Sequence, residues 1–387
     1  MRPDDGSAGR RGPADRAHAP GDSCDQMQPG RRGTGRPPAG EEAERLGVAE
    51  ALRLLAGGDL LELGARADEA RRRLHPGDEV TFVVDRNINY TDICVSGCRF
   101  CAFYKRPGSG EGYVLDEATI HRKIEETLAL GGTAVMMQGG LHPDLDVAWF
   151  ERLFRGIKER YRVHLHCLSP PEVAHIARVS GLSVAETLRR LRDAGLDSLP
   201  GGGAEVLVDR VRRAVSPHKI GADEWLGVMR TAHRLGLPTT ATMMFGAGET
   251  LAERVEHLRR IRDLQDETGG FTAFIPWSFQ AGNTDLEGEL PAATGVEYLR
   301  LLAVSRLYLD NVPNIQASWV TQGLRLGQVA LAFGANDLGS TMIEENVVAA
   351  TGVRHQCDVA TMVRVIRAAG RVPVQRDTLY RPVRRFD

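Results

Sequence analysis

The sequence predicts an α/β protein built as a (β/α)8 barrel of the TIM type, and three observations predict it. Short strand-like runs alternate with helix-period segments eight times between residues 79 and 340. Most of these runs are nearly continuous in apolar residues, as parallel strands covered on both faces must be. The motifs that could carry chemistry fall just after the runs, at the strand ends where barrel enzymes keep their active sites.

Composition narrows the field before any motif is read. The chain has 387 residues, 42% hydrophobic and 26% charged, which is ordinary for a globular protein with a core. A net charge of −2 gives no reason to expect nucleic acid or an anionic membrane as partner. No apolar run approaches the ~18 residues of a membrane span, and no signal-peptide core opens the chain, so a cytoplasmic protein is expected. Six cysteines, three of them clustered, do not form a disulfide framework. The basic residues are almost all Arg, with only Lys105, Lys123, Lys158 and Lys219 as lysines. We read that as codon bias and assign it no function.

Residues 1–40 are rich in Gly, Pro, Arg and Asp and cannot bury enough surface to offset ordering entropy, which predicts a disordered tail with Cys24 as an incidental thiol. Over 41–78, Leu46, Leu52, Leu55, Leu60 and Leu63 recur at helical spacing across the break at Gly57-Gly58, predicting two helices. The barrel is expected over 79–340. Its strands are read at Val80–Val84, Ala134–Gln138, Val163–Cys167, Leu196–Leu199, Pro238–Phe245, Phe271–Trp277, Ile315–Val320 and Gln328–Phe333. Asp116 is placed to cap one helix, and Ser183 with Glu186 to form a capping box on another. Residues 341–387 are left as a helical and extended segment packed on the barrel.

The chemistry is concentrated in Cys94-Val-Ser-Gly-Cys98-Arg-Phe-Cys101. Three thiolates within eight residues repel one another unless a soft cation or cluster takes them up. Three local cysteines hold three irons of a cubane and leave the fourth iron open. A zinc knuckle is the bland alternative, but zinc normally takes four ligands, and no fourth Cys or His stands at finger spacing.

The C-x3-C-x2-C spacing resembles the signature of the radical S-adenosylmethionine (SAM) superfamily. That resemblance implies a [4Fe-4S] cluster on Cys94, Cys98 and Cys101, with SAM as the second cofactor and Phe100 beside cluster and adenine. Six-unit partial barrels are common in the superfamily, so the last two strands could instead belong to a C-terminal cap. Gln138-Gly139-Gly140 stands where the family's Gly-Gly motif meets the methionine amino group, although a Gly pair alone is usually a turn. Glu205 is read as a ligand of the ribose hydroxyls or as a first-turn acid at a helix N-terminus. Glu249, in Gly246-Ala-Gly-Glu249-Thr250, is read on the adenine side or as a helix cap. Ser169 is a possible ligand contact. Arg210, Arg212 and Lys219 are candidates for the SAM carboxylate against a reading as solvated helix charges. His164 and His166 alternate to one side of the third strand and could face the barrel interior, although a lone interior His is more often a satisfied core residue. Cys167 and Cys357 are read as small buried apolar residues.

Longer stretches refine the resemblance. Arg86–Cys94, Gln138–Asp144, Ser198–Glu205, Thr240–Gly246, Thr268–Trp277, Asn314–Gln322 and Gly334–Glu345 are similar to the menaquinone and deazaflavin branch, and within it to the dehypoxanthine futalosine cyclases. The similarity runs from about residue 45 onward; a small residue and a Gly stand at 247 and 248 where bulkier ones are expected. It implies dehypoxanthine futalosine as substrate, and flavodoxin or ferredoxin as a one-electron donor. The implied reaction removes the C4′ hydrogen, adds the carbon radical to the benzoate ring and restores aromaticity by losing one electron and one proton. Asp337 is the candidate proton acceptor after the eighth strand, Asn336 a substrate-orienting group, and Trp277, Phe279 and Trp319 a wall against benzoate. Aminofutalosine synthase, a deazaflavin-precursor synthase subunit and a zinc scaffold are the alternatives.

Overall fold

Val48–Ala56 (α1) and Leu60–Leu74 (α2) open the computed structural model, which describes residues 45–387. The predicted tail and Cys24 lie outside the described residues. Asp59 caps α2 by accepting from the amides of Leu61 and Glu62. Among the described residues, no helix is long and apolar enough to cross a membrane.

The predicted first strand, Val80–Val84, is Glu79–Val83 (β1), and a second strand that the sequence reading passed over, Asp85–Ile88 (β2), follows it after Val84. After the cysteine loop come Glu117–Ala129 (α3), Ala134–Met137 (β3), Val147–Arg160 (α4) and His164–Cys167 (β4). Asp116 caps α3 through the Thr119 amide as expected. Pro170–Val179 (α5), which the sequence reading passed over, precedes Val184–Asp193 (α6). At α6 only the Ser183 half of the expected box is made. The fourth strand is reduced to single bridges, Ser198 to His166 and Leu199 to Thr239. Asp209–Val215 (α7), Ala222–Arg234 (α8), Thr239–Phe245 (β5), Leu251–Thr268 (α9), Phe271–Ser278 (β6) and Gly295–Tyr308 (α10) follow.

The last of the expected strands depart from the sequence reading. The seventh strand is only Asn314–Ile315 (β7), and the predicted eighth, Gln328–Phe333, falls in helix Trp319–Ala330 (α11) and the turn after it. The true eighth strand is Asp337–Ser340 (β8). Val359–Ala368 (α12), Val372–Arg376 (β9) and Pro382–Arg385 (β10) complete the described fold.

All of the strand pairs are parallel except β9–β10. β2, β3 and β4 form one sheet and β5, β6 and β7 another, joined through Ser198 and Leu199. Gln316 bridges to Asp337, and β8 pairs with β1 in the register Thr81↔Asp337. On the other edge of β1, β9 pairs from Glu79↔Val372 to Phe82↔Gln375. β9 therefore takes the lower half of the edge whose upper half, in β2, belongs to β3.

Alternate residues separate the two faces of this wall. Val135, Met137, Leu165, Cys167, Ala241 and Met243 are sealed in the main apolar core with the helices. Their neighbours Met136, His164, Thr240, Thr242, Ile275 and Trp277 keep accessible surface. The second face is thus more open than the face covered by helices.

Candidate functional site

The cysteine loop is tied to its own return at Lys105, to the loop after β3 and to the end of α7. Cys94 donates its amide to the Lys105 carbonyl at 2.9 Å, Val95 to Leu141 at 3.0 Å, and Arg99 to Val215 at 2.9 Å. Gly97 takes φ +56°, a turn that costs Gly little. Cys98 is buried, and Cys94 and Cys101 are half-buried. Burial pushes the thiols of Cys94 and Cys101 up, so as free thiolates they would be disfavoured without a compensating cation. The Ser96 amide approaches Cys94 Sγ at 3.4 Å and Ser96 Oγ lies 3.2 Å from Cys98 Sγ. Three thiols with N–H and O–H neighbours are a donor set that fits an iron–sulfur cluster. Among the described residues no three His, Cys, Asp or Glu side chains converge on a point for one metal ion, and no fourth zinc ligand joins the loop.

Gly139 and Gly140 have a packing reason to be glycine. A Cβ on Gly140 would stand 2.2 Å from the Ile93 carbonyl oxygen and 3.0 Å from Cys94 Cβ, and one on Gly139 would meet the Tyr90 ring at 2.8 Å. The pair lets two backbones touch, so that the second strand-end loop carries the cysteine loop. Gln138 lies against Gly202, whose added Cβ would be 2.3 Å from Gln138 Nε2.

Beneath this contact lies Glu172, which sequence reasoning missed. Its carboxylate is 3% exposed and accepts from Gly139 N (2.9 Å), Ser169 N (2.7 Å), Ser169 Oγ (2.5 Å) and Tyr90 Oη (2.8 Å). One side chain thus fastens the loops after β2, β3 and β4. Ser169 is the N-cap of α5, its hydroxyl turned to Glu172. The signal was legible: Ser169-Pro-Pro-Glu172 is a capping box with Pro in the first turn.

Glu205 is buried at φ +42° between two cations. Lys219 Nζ donates to it at 2.9 Å and Arg212 Nη1 at 3.2 Å. Neither cation is the solvated helix charge expected. Arg212 is buried and also donates to the carbonyls of Gly203, Ala204 and Ile220, which fixes the glycine loop. Lys219 lies 4.9 Å from the centre of the Phe100 ring. Burial alone would lower its pKa, but Cys98 and Glu205 outweigh burial and raise it. Arg210 is exposed and pairs with Glu253.

Glu249 is neither an open ligand group nor the helix cap, which is Thr250. Its carboxylate is spent on the Gly246 and Ala247 amides at 2.7 and 2.8 Å and on Arg254 at 2.8 Å. Phe100, Trp277 and Phe279 share a small apolar cluster with Met244 and Val215 next to the cysteine loop. Trp319 lies elsewhere, buried on α11 and donating to the Ser340 carbonyl. Asn336 accepts from Arg306 and Ile315 N and donates to Asn314, so its amide is committed to the fold.

Asp337 opens β8 instead of following it. Its oxygens accept from Arg376 Nε (2.6 Å) and Nη2 (2.9 Å), Thr81 Oγ1 (2.5 Å) and Gly339 N (2.7 Å), and the side chain has no exposure. Such a carboxylate has no lone pair free for a substrate proton. Cys167 is fully buried, as expected, whereas Cys357 is only half-buried.

Residues 88–261 match the family model "Radical SAM superfamily", and residues 268–386 match "CofH/MqnC C-terminal region". A cyclic dehypoxanthine futalosine synthase of Halalkalibacterium halodurans is 48% identical over 345 residues, 89% of this chain and 93% of the relative. A 5-amino-6-(D-ribitylamino)uracil–L-tyrosine 4-hydroxyphenyl transferase of Archaeoglobus fulgidus is 43% identical over 321 residues, 81% of this chain and 91% of the relative. Among solved structures, a methylornithine synthase superposes with a TM-score of 0.69 at 20% identity, covering 86% of this chain and 95% of that one, which speaks to the fold alone.

Proposed function

We propose that this chain, which belongs to the radical SAM superfamily and carries the CofH/MqnC C-terminal region, cyclises dehypoxanthine futalosine to cyclic dehypoxanthine futalosine in menaquinone biosynthesis. The observation that carries the reading is a three-cysteine loop docked on Gly139-Gly140 in a chain 48% identical to a synthase of that name. We read the succession of parallel pairings from β1 and β2 round to β8 as a closed eight-stranded barrel whose inner face forms the reaction chamber.

Cys94, Cys98 and Cys101 would hold the cluster. When bound, it supplies one electron that splits SAM into methionine and a hydrogen-abstracting 5′-deoxyadenosyl radical, and takes one electron back at the end. The chain's own work is placement and exclusion of water. Glu172 keeps the Gln138–Gly140 segment in register with the cysteine loop. Glu205, held between Arg212 and Lys219, offers a carboxylate to the ribose side of SAM, and the Gly246–Gly248 backbone, fixed by Glu249, lines the adenine side. Phe100, Trp277 and Phe279 supply an apolar surface beside the cluster. Asp337 we assign to the fold rather than to proton transfer.

The relative of 43% identity keeps a second reading in view, transfer of a 4-hydroxyphenyl group from tyrosine. One experiment separates them. Anaerobic protein with reconstituted cluster is incubated with SAM, dithionite and dehypoxanthine futalosine, and the products are weighed by mass spectrometry. The cyclase reading expects deoxyadenosine together with a product two hydrogens lighter than the substrate, both lost in Cys98→Ala. Deoxyadenosine only when tyrosine and the ribitylamino-uracil are supplied would favour the transferase; an intact cluster that cleaves no SAM under either condition would remove both.

A further inference from the structure

We propose that His166, Ser198 and His164 form a proton relay from the barrel interior to its N-terminal mouth, removing the proton that the cyclisation sheds; this rests on the cyclase reading above. The two imidazoles stand two residues apart on β4, and both reach the same hydroxyl. His166 Nδ1 lies 2.7 Å from Ser198 Oγ, and His164 Nε2 lies 2.7 Å from it as well. A hydroxyl has one proton to give, so one imidazole donates to Ser198 and the other accepts from it. The trio is therefore a directional chain, unlike two histidines that are each satisfied separately.

Both ends of the chain are open. His166 Nε2 and His164 Nδ1 make no hydrogen bond among the described residues, and neither is a fully buried atom. His166 lies in a row of register partners: Met136 on β3 keeps accessible surface, and Asn87, opposite Met136 on β2, carries a buried Oδ1 with no partner. An unpartnered amide oxygen level with an open imidazole nitrogen, two strands away across Met136, is what a polar substrate group spanning that face would satisfy. At the other end, His164 begins β4, at the mouth of the barrel opposite the cysteine loop.

The surroundings hold both rings neutral, so a proton taken up at one end is passed along and not kept. Burial, with His164 and Arg376 nearby, lowers the pKa of His166 to about 3. Burial also lowers His164, which faces Asp197, Lys158, Asp377 and Arg381. The step balances as follows. The ring C–H at the new bond breaks, its proton goes to His166 Nε2, and its electron pair stays in the ring. His166 then passes its Nδ1 proton to Ser198 Oγ. Ser198 passes its own proton to His164 Nε2, and His164 releases its Nδ1 proton to water. The one electron to be lost returns as stated under the proposed function. His166 is the group placed to meet substrate; Ser198 and His164 act through it.

The test compares wild type, Ser198→Ala, Ser198→Thr, His166→Gln and His164→Ala, all with reconstituted cluster, by the ratio of cyclised product to deoxyadenosine. The relay expects Ser198→Ala and His166→Gln to keep forming deoxyadenosine while the ratio falls at least about tenfold, the low side of what general acid–base groups contribute. Ser198→Thr, which keeps the hydroxyl, should restore it. Added imidazole should raise the ratio in His164→Ala, a response that a packing role would not give. Should Ser198→Ala fail to fold, the wild-type ratio measured across H2O–D2O mixtures decides: a curved dependence supports several protons in flight, and no dependence overturns the relay. A wild type that cyclises, beside variants with unchanged ratios, overturns the relay alone. A wild type that releases deoxyadenosine but never the lighter product overturns the cyclase reading with it.

Discussion

Replacing Asp337 separates a structural anion from a catalytic base. Asp337 and Arg376 are buried together, with side-chain exposures of 0% and 5%, and the pair is bidentate. Removing one partner of such a pair leaves an uncompensated buried charge, which costs about 3–5 kcal/mol. At about 2 °C per kcal/mol for a large domain, Asp337→Ala should melt about 6–10 °C below wild type. Asp337→Asn should lose less, because the amide oxygen still accepts from Arg376, but its NH2 group then faces a donor. The double variant Asp337→Ala/Arg376→Met should melt above Asp337→Ala, since it removes the stranded cation. The assay is calorimetry of the anaerobic, cluster-loaded protein, alongside the product-to-deoxyadenosine ratio at a temperature where all variants are folded. Reduced melting temperature with an unchanged ratio is expected. An Asp337→Asn protein as stable as wild type that makes deoxyadenosine but no cyclised product would refute the structural assignment and make Asp337 the base.

Three further outcomes follow from the same geometry. Gly140→Ala puts a methyl group 2.2 Å from the Ile93 carbonyl oxygen, so iron content and brown colour after reconstitution should fall sharply while helical circular dichroism is kept; full iron loading would contradict the docking argument. Gly156→Ala on α4, where an added Cβ meets nothing within 4 Å, is the control and should stabilise by about 0.5–1 kcal/mol. Glu172→Gln turns an NH2 group toward one of the buried donors and should cost about 1–3 kcal/mol, read as a lower melting temperature, with Glu172→Leu worse; an unchanged melt removes the clamp. Lys219→Met takes a charged partner from Glu205 and should weaken SAM binding about tenfold or more in equilibrium dialysis without loss of iron, whereas unchanged affinity would leave Lys219 with no role in SAM binding.

What could be read from the sequence was whatever local spacing dictates. The cysteine loop, the Gly-Gly pair, the helix caps at Asp116 and Ser183, and the strands around Ala134, His164, Thr239 and Phe271 depend on neighbours within a few residues. The failures have the opposite character. Asp337–Ser340 contains Gly339 and two polar residues and does not look like a buried strand; it is one because Thr81 and Gln316, far away in sequence, pair with it. Gln328–Phe333 looked like a strand because it is apolar, but its first three residues finish the helix begun at Trp319 and the rest form the turn after it, with Gly323 at φ +77° breaking the pattern. Arg212 and Lys219 were misread because a charged residue on a helix is usually solvated, and only the folded loop brings Glu205 between them. Glu172 was in plain view as a capping box, but its bonds to Gly139 and Tyr90 cross to other strands.

The pairing of β9 along β1 has a consequence for how the molecule is made. β1 is translated early, yet one lower edge of it waits for Asp337–Ser340 and the other for Val372–Arg376, nearly 300 residues later on the ribosome. Until Arg376 has emerged, the Asp337 carboxylate has no cation, and the first strand presents unpaired amides and carbonyls on both sides. Nascent chains stalled before residue 372 should therefore depend on chaperones, because an open strand edge is a template for aggregation. Contacts this distant in sequence also favour slow folding, so the step that joins the first strand to the last is the natural candidate for the rate-limiting one.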